Sequence, residues 1–244
     1  MIVIPAVDIK GGKCVRLSQG RADRETVYGD DPSAMAERFQ ALGAQRIHVV
    51  DLDGAFEKGV KNASAISRIL SKVSVPIQVG GGIRDRGALD RWLDLGVDRV
   101  IVGTEAVRNP AWVKKAMEDH PGRVILGIDA KNGLVAVEGW TETTKLSAIE
   151  LARSYEGLPV AAINFTDIAR DGMQTGPNIE QTRRLAESTR IPVVASGGVS
   201  TIADVHNLMK IEDAGVVGFI TGRAIYAGTL DLAEAIAVTS GRSV

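Results

Sequence analysis

The chain states one pattern twice. Its first half carries Ile4-Pro5-Ala6-Val7-Asp8, Val50-Asp51, Gly80-Gly81-Gly82-Ile83 and Gly103-Thr104; its second half answers with Gly127-Ile128-Asp129, Thr166-Asp167, Ser196-Gly197-Gly198-Val199 and Gly222-Arg223. Order and spacing both persist. Asp129 follows Asp8 by 121 residues, Asp167 follows Asp51 by 116, Gly197 follows Gly81 by 116 and Gly222 follows Gly103 by 119, each near half of the 244 residues. A doubled chain builds a pseudo-symmetric molecule, here from halves about 1–121 and 122–244, with one carboxylate and one glycine-rich anion cradle from each half. That arrangement suits a substrate with two phosphates and acid–base chemistry between them.

Short β-branched runs alternate with amphipathic stretches along both halves. The runs cover Ile2–Val7, Arg46–Asp51, Pro76–Val79, Arg99–Val102, Arg123–Asp129, Val160–Thr166, Pro192–Ala195 and Val216–Thr221. Between them lie helix-like segments such as Pro32–Leu42, Ala63–Lys72, Asp85–Leu95, Ala111–Asp119, Ser147–Tyr155, Asn178–Ser188, Ile202–Met209 and Asp231–Val238, with Asp85, Asn109-Pro110 and Pro177-Asn178 as start signals. Runs too apolar to have a wet face imply a parallel sheet covered by helices. Eight strand–helix units predict one domain, a (β/α)8 TIM barrel of two similar half-barrels, a fold that commonly spans about 250 residues. The doubly wound open sheet is the competing architecture, but it predicts no half-chain repeat.

Composition narrows the class of function. With 45% hydrophobic residues the chain can fill a large core, and a formal net charge of −1 argues against a broad nucleic-acid footprint. Phosphate must then be bound by local devices. No run approaches the roughly 18 apolar residues of a membrane span, and the apolar start reaches Asp8 too soon for a signal-peptide core. The single cysteine, Cys14, cannot form an internal disulfide. The expectation is a cytoplasmic enzyme, working as a monomer, without nucleic-acid or membrane partners.

Barrel active sites lie at the C-terminal ends of the strands. Asp8 and Asp129 both end strands, and strand alternation puts each above a small residue on the same face, Ala6 and Gly127. A lone strand-end aspartate is commonly a turn residue, whereas two symmetric copies favour catalysis. Backbone amides at glycine turns that lead into helices converge on anions. Gly81 and Gly82 with Gly103 and Thr104 form one expected cradle; Ser196, Gly197 and Gly198 with Gly222 and Arg223 form the other. His48 and Asn164 occupy matching interior positions and read as a polar layer of the core, and His120 and His206 give no ligand spacing, so no metal is expected. Trp140, in a long connection after the fifth strand, could pack on the surface or stack on a flat ring over the mouth.

These residues, together with Gly12-Lys13-Cys14-Val15-Arg16-Leu17, Gln19-Gly20, His48-Val49-Val50-Asp51-Leu52-Asp53, the Arg84 that follows Ile83, and Thr166-Asp167-Ile168-Ala169-Arg170-Asp171-Gly172, closely resemble the histidine-biosynthesis isomerases that act on N'-(5'-phosphoribosyl)formimino-5-aminoimidazole-4-carboxamide ribonucleotide. The resemblance spans nearly the whole chain. It implies an Amadori rearrangement of an aminoaldose to an aminoketose, on a small bisphosphate, with no metal or organic cofactor. It implies Asp8 as the base, either Asp129 or Asp171 as the acid, Thr166 as an orienting hydrogen-bond partner, and Arg16, Arg84 and Gly176 among the substrate-binding residues.

Three alternatives remain beside that reading. The cyclase subunit of imidazole glycerol phosphate synthase shares the doubled barrel, but typically opens with Cys-Leu-Asp where this chain has Ala6-Val7-Asp8. Bifunctional relatives also isomerise phosphoribosylanthranilate; they carry arginine two positions before the tryptophan, where this chain has Glu138, whose charge would repel the anthranilate carboxylate. A non-enzymatic bisphosphate-binding barrel would leave Asp8 and Asp129 without a role.

Overall fold

The computed structural model describes residues 1–18, 21–57 and 59–241; Gln19 and Gly20 of the motif above lie outside them. Twelve strands form one sheet among the described residues: β1 (Ile2–Lys10), β2 (Lys13–Ser18), β3 (Arg21–Gly29), β4 (Ile47–Asp51), β5 (Ile77–Gly80), β6 (Arg99–Val102), β7 (Val124–Lys131), β8 (Leu134–Val137), β9 (Glu142–Ser147), β10 (Ile163–Asp167), β11 (Val193–Ser196) and β12 (Val216–Thr221). Eight of them, β1, β4, β5, β6, β7, β10, β11 and β12, pair in parallel and close a ring through β12–β1 and β7–β10. This is a (β/α)8 barrel.

The other four strands differ from the expected connections. β2 and β3 fold back antiparallel on β1, and β8 and β9 fold back on β7, so the first strand of each half extends into a meander. The long connection after the fifth barrel strand is therefore a β-hairpin, and Trp140 sits in its turn.

The half-chain repeat reaches the backbone pairing. Pro76 and Pro192 precede β5 and β11 and have no N–H to give a ladder. Their carbonyls serve instead, accepting from Ile47 at 3.1 Å and from Ile163 at 2.8 Å.

The helices are α1 (Pro32–Ala41), α2 (Leu52–Glu57), α3 (Ala63–Lys72), α4 (Arg86–Asp94), α5 (Thr104–Arg108), α6 (Pro110–Asp119), α7 (Ala148–Arg153), α8 (Ile179–Glu187), α9 (Ile202–Met209), α10 (Arg223–Ala227) and α11 (Leu232–Thr239). Asp85 caps α4 by accepting from Ala88 at 2.7 Å, and Asn178 caps α8 by accepting from Gln181 at 3.1 Å. Asn109 makes no such cap: Pro110 opens α6, while the Asn109 amide donates to Glu105 at 2.7 Å. Among the described residues no helix is long and apolar enough to cross a membrane.

Alternation along β1 shows why two layers exist. Val3, Val7 and Ile9 pack outward against the helices, whereas Ile4 and Ala6 pack inward with Ala162, Val194 and Ile220. Each fully buried aliphatic chain contributes about 1.5–3 kcal/mol. The outer layer, with Phe39, Trp92 and Phe219 fully enclosed, supplies most of that burial. The inner layer is small and floors the site.

Candidate active site

A cavity of about 300 Å³ opens at the C-terminal end of the barrel strands. Asp8, Asp129, Thr166 and Asp171 all line it, as do Arg16, Gly81, Gly82, Arg84, Gly103, Thr104, Trp140, Ser196, Gly197, Gly198, Gly222 and Arg223. Ala6 and Gly127 lie beneath the two strand-end aspartates, so the strand alternation read from sequence is present. Gly176 stands apart from this set. It does not line the cavity; its N–H donates to the Gly198 carbonyl at 3.1 Å, and its own carbonyl fills the space a Cβ on Gly198 would need.

The three carboxylates meet different surroundings. Arg16 donates to Asp8 at 2.7 Å, with the side chains only 12% and 14% exposed. Burial raises the Asp8 pKa, while the Arg16 charge and hydrogen bond pull it back. Asp129 is also raised by burial, against the Trp140 indole, which donates at 2.8 Å, and a hydrogen bond from Thr166. Among the described residues none makes such a bond to Asp171. Burial pushes it up to about 7, the Asp8 and Asp129 charges push the same way, and Arg16 opposes them. Like charges in one cavity cannot all ionise freely, so one carboxyl holds its proton near neutrality.

His48 shares the cavity but stays neutral. Burial and the Arg16 charge lower its pKa to about 3, and its Nδ1 pairs with the Gln78 amide at 3.2 Å. Its counterpart Asn164 is 4% exposed, and both polar atoms of its side chain lack a partner among the described residues.

The glycine turns are built by close backbone approach. A Cβ on Gly81 (φ +106°) would overlap the Asp51 carbonyl, and one on Gly82 (φ +71°) the Gly54 carbonyl; Gly197 and Gly198 meet Asp167 and Gly176 in the same way. The short helices α5 and α10 begin right after Gly103 and Gly222. First-turn amides of a helix have no intrahelical partner, so both turns present donors to an anion at the cavity rim. Gly222 also makes room for an arginine, since any Cβ there would occupy the place of the Arg16 guanidinium.

Asp51 and Asp167 brace the connections after β4 and β10, against which the glycine turns pack. Asp51, fully buried, accepts from Gly54 N at 2.9 Å, Lys61 N at 2.9 Å and the Asn62 amide at 2.7 Å. Asp167 accepts from Ala169 N at 2.9 Å and the Asn178 amide at 2.6 Å. The sequence holds a signal for this, since Asn62 and Asn178 each stand 11 residues after their aspartate, but neither asparagine falls within a glycine or aspartate motif.

The β8–β9 turn reaches over the mouth. Glu138, Gly139 and Trp140 all have positive φ, at 53°, 61° and 72°. The Glu138 N–H donates to Thr104 Oγ1 at 3.1 Å, and its carboxylate faces Arg84 at 3.5 Å and Arg108 at 3.3 Å. Its charge is thus compensated, which weakens the repulsion expected from sequence. Phe56 of α2 and Gln174, at φ 56°, also line the cavity, and no sequence pattern marks either. Both belong to short connections whose few residues give no periodic signal.

Residues 2–231 match the family described as "Histidine biosynthesis protein". A relative from Desulfatibacillum aliphaticivorans is 66% identical over 236 residues, covering 97% of this chain and 94% of its own length. Relatives from Desulfosudis oleivorans, 60% identical over 240 residues, and from a Geobacter species, 56% identical over 239, each cover 98% of this chain and at least 96% of their own. All three bear the name 1-(5-phosphoribosyl)-5-((5-phosphoribosylamino)methylideneamino)imidazole-4-carboxamide isomerase. Matched over nearly its whole length, this chain belongs to the histidine biosynthesis protein family.

Proposed function

We propose that this chain is the isomerase its relatives are named for, converting the phosphoribosyl aminoaldose to the phosphoribulosyl aminoketose by general acid–base catalysis. The observation that carries the mechanism is the contrast between two carboxyls in one cavity. Asp171 is held near 7 by burial and by its carboxylate neighbours, with Arg16 opposing the rise, whereas Asp8 is ion-paired directly with the Arg16 guanidinium at 2.7 Å. A guanidinium at hydrogen-bond distance favours the carboxylate form, which suits Asp8 to the role of base and Asp171 to that of acid.

Asp171 gives its proton to the ribose ring oxygen, and the C1–O bond breaks as the substrate nitrogen forms a protonated Schiff base. Asp8 removes the proton from C2, leaving an enolamine. The proton on Asp8 then passes to C1, and the C2 hydroxyl proton returns, directly or through solvent, to Asp171. No atom is gained or lost. Asp129, held by Trp140 and Thr166, orients the sugar and couples the capping indole to the reacting end. The two glycine cradles take the two phosphates, and Arg84, whose buried Nε has no partner among the described residues, binds one of them in this scheme. The substrate amine makes the Schiff base, so the scheme needs no organic cofactor.

The test is an ultraviolet assay of purified protein with the aminoaldose. Direct conversion to the aminoketose, without ammonia, supports the isomerase. Ammonia-dependent closure to an imidazole instead would establish the cyclase reading, and binding without turnover a non-enzymatic barrel.

A further inference from the structure

Tyr226, on the last barrel connection, has no part in the scheme above, yet its contacts tie it to the site. Its ring lies beneath the Arg16 guanidinium, 5.0 Å from centroid to Cζ. Its hydroxyl donates to the Ala6 carbonyl at 3.1 Å, and Arg16 Nη2 donates to that same carbonyl. The Cys14 thiol lies 3.2 Å from the hydroxyl. Tyr28 at 4.8 Å and Phe39 at 5.9 Å, centroid to centroid, pack the ring from the outside.

Arg16 depends on that support. Its Nη1 holds Asp8, its Nη2 holds Ala6 O, and its buried Nε has no partner among the described residues. An arginine with an idle Nε is a loosely specified clamp unless something fixes the plane of the guanidinium. An aromatic face does so, and it attracts the cation without competing for its N–H groups. Burial keeps the Tyr226 hydroxyl far above its ordinary range, so it remains a neutral donor.

We propose that Tyr226 is a positioning residue that acts through Arg16: its ring fixes the guanidinium plane, so that Asp8 is presented to the substrate in one orientation, and its hydroxyl bond to the Ala6 carbonyl is a lesser anchor. The geometry comes from closure of the barrel. β12 pairs with β1, and α10 then brings position 226 beside β1; the β2–β3 hairpin brings both Arg16 and Tyr28 against the ring.

The inference rests on the isomerase reading for its kinetic readout, and a second readout is independent of activity. Tyr226→Leu should lower kcat by about tenfold or more while KM changes by less than about twofold; Tyr226→Phe should stay within about threefold of wild type, because the ring remains. In an Arg16→Ala background, Tyr226→Leu should change kcat by less than about twofold. Equal losses in both backgrounds, or an unchanged kcat in the wild-type background, would overturn the proposal. If the leucine variant unfolds, phenylalanine with successive ring fluorines at position 226 keeps the shape and weakens the cation's hold; a flat kcat series is again contrary. NMR of the ligand-free protein supplies the independent readout. Arg16 should show hindered Nε–Cζ rotation that becomes fast when Tyr226 is replaced, and equal rotation in both proteins would overturn the proposal whatever the activity. A wild-type protein without isomerase activity, by contrast, would overturn the functional reading and leave the NMR result to decide this one.

Discussion

Asp8 and Asp129 occupy equivalent strand ends in the two half-barrels but are held by different donors: a guanidinium at 2.7 Å for Asp8 and an indole N–H at 2.8 Å for Asp129. A duplicated scaffold has thus been differentiated at its two strand-end aspartates by the hairpins that follow them, β2–β3 supplying Arg16 and β8–β9 supplying Trp140. Symmetry sets the place of each carboxylate, and the hairpin sets its chemistry.

That division makes Trp140 informative. Trp140→Ala removes ring stacking, worth about 0.5–1.5 kcal/mol, and a hydrogen bond to a charged group, worth about 1.5–3 kcal/mol. Together these predict a loss in kcat/KM of about 30-fold to 10³-fold, with the barrel still folded. Trp140→Phe should recover only the stacking share. Steady-state kinetics beside a thermal melt check this; equal activity of the two variants would mean that the aromatic ring itself contributes nothing, and a phenylalanine variant as active as wild type would mean the same of the Asp129 hydrogen bond.

The pH dependence follows from Asp171. Its folded pKa, about 7, is raised above the ordinary carboxylate value of 3.8, so the folded protein binds the proton more tightly than the unfolded chain. Its contribution to stability is present below about pH 4 and is lost as pH rises through about 7. Asp171→Asn should therefore raise the thermal midpoint more at pH 8 than at pH 5, by about 2–4 °C for each 1 kcal/mol regained. The same variant should lose the alkaline limb of the wild-type rate profile. A midpoint difference independent of pH would contradict the assignment.

The eight barrel strands and the paired glycine turns were legible because their signals are local and repeated: apolar runs on both faces, and glycines at matched intervals. The hairpin strands were not, since Lys13–Ser18 and Glu142–Ser147 mix charged, polar and apolar residues without the alternation of a half-buried strand. Short helices α2, α5 and α10 lack the length for an apolar stripe. The contact of Tyr226 with Arg16 links positions 210 residues apart and exists only once the barrel closes. The place of Gly176 escapes the sequence for the same reason: its carbonyl supports Gly198 from behind, a relation that spacing alone does not reveal.

The phosphate grip needs a substitution the backbone tolerates. An aspartate at Gly82 or Gly198 would strike the Gly54 or Gly176 carbonyl, so it would damage the turn itself. Ser196→Asp avoids that collision while adding a negative charge at the cavity wall. Bisphosphate affinity should fall by more than about tenfold, the equivalent of about 1.4 kcal/mol. The thermal midpoint should move by only a few degrees, about the shift for 1 kcal/mol. Calorimetric titration and a melt on the same sample decide it, and a melt that collapses without selective loss of affinity would count against an anion-binding role.

Glu138 faces Arg84 at 3.5 Å and so occupies a cavity-lining cation that could receive an anthranilate carboxylate, while its other partner, Arg108, is also paired with Glu142 at 2.6 Å. The wild-type protein should turn over phosphoribosylanthranilate poorly. Glu138→Gln should release Arg84 and lower KM for that substrate by about tenfold, as expected for one new charge-assisted hydrogen bond. Efficient turnover by wild type would end the claim of single-substrate specificity.

The most direct test of the mechanism is the Asp8→Asn variant, assayed for conversion of the aminoaldose and for its affinity in the same buffer. The amide keeps the shape of the side chain but cannot accept the C2 proton. Turnover should fall by about 10²–10⁴-fold, the usual worth of a positioned base, with substrate affinity within about threefold of wild type. Near-normal turnover by this variant would show that Asp8 is not the base.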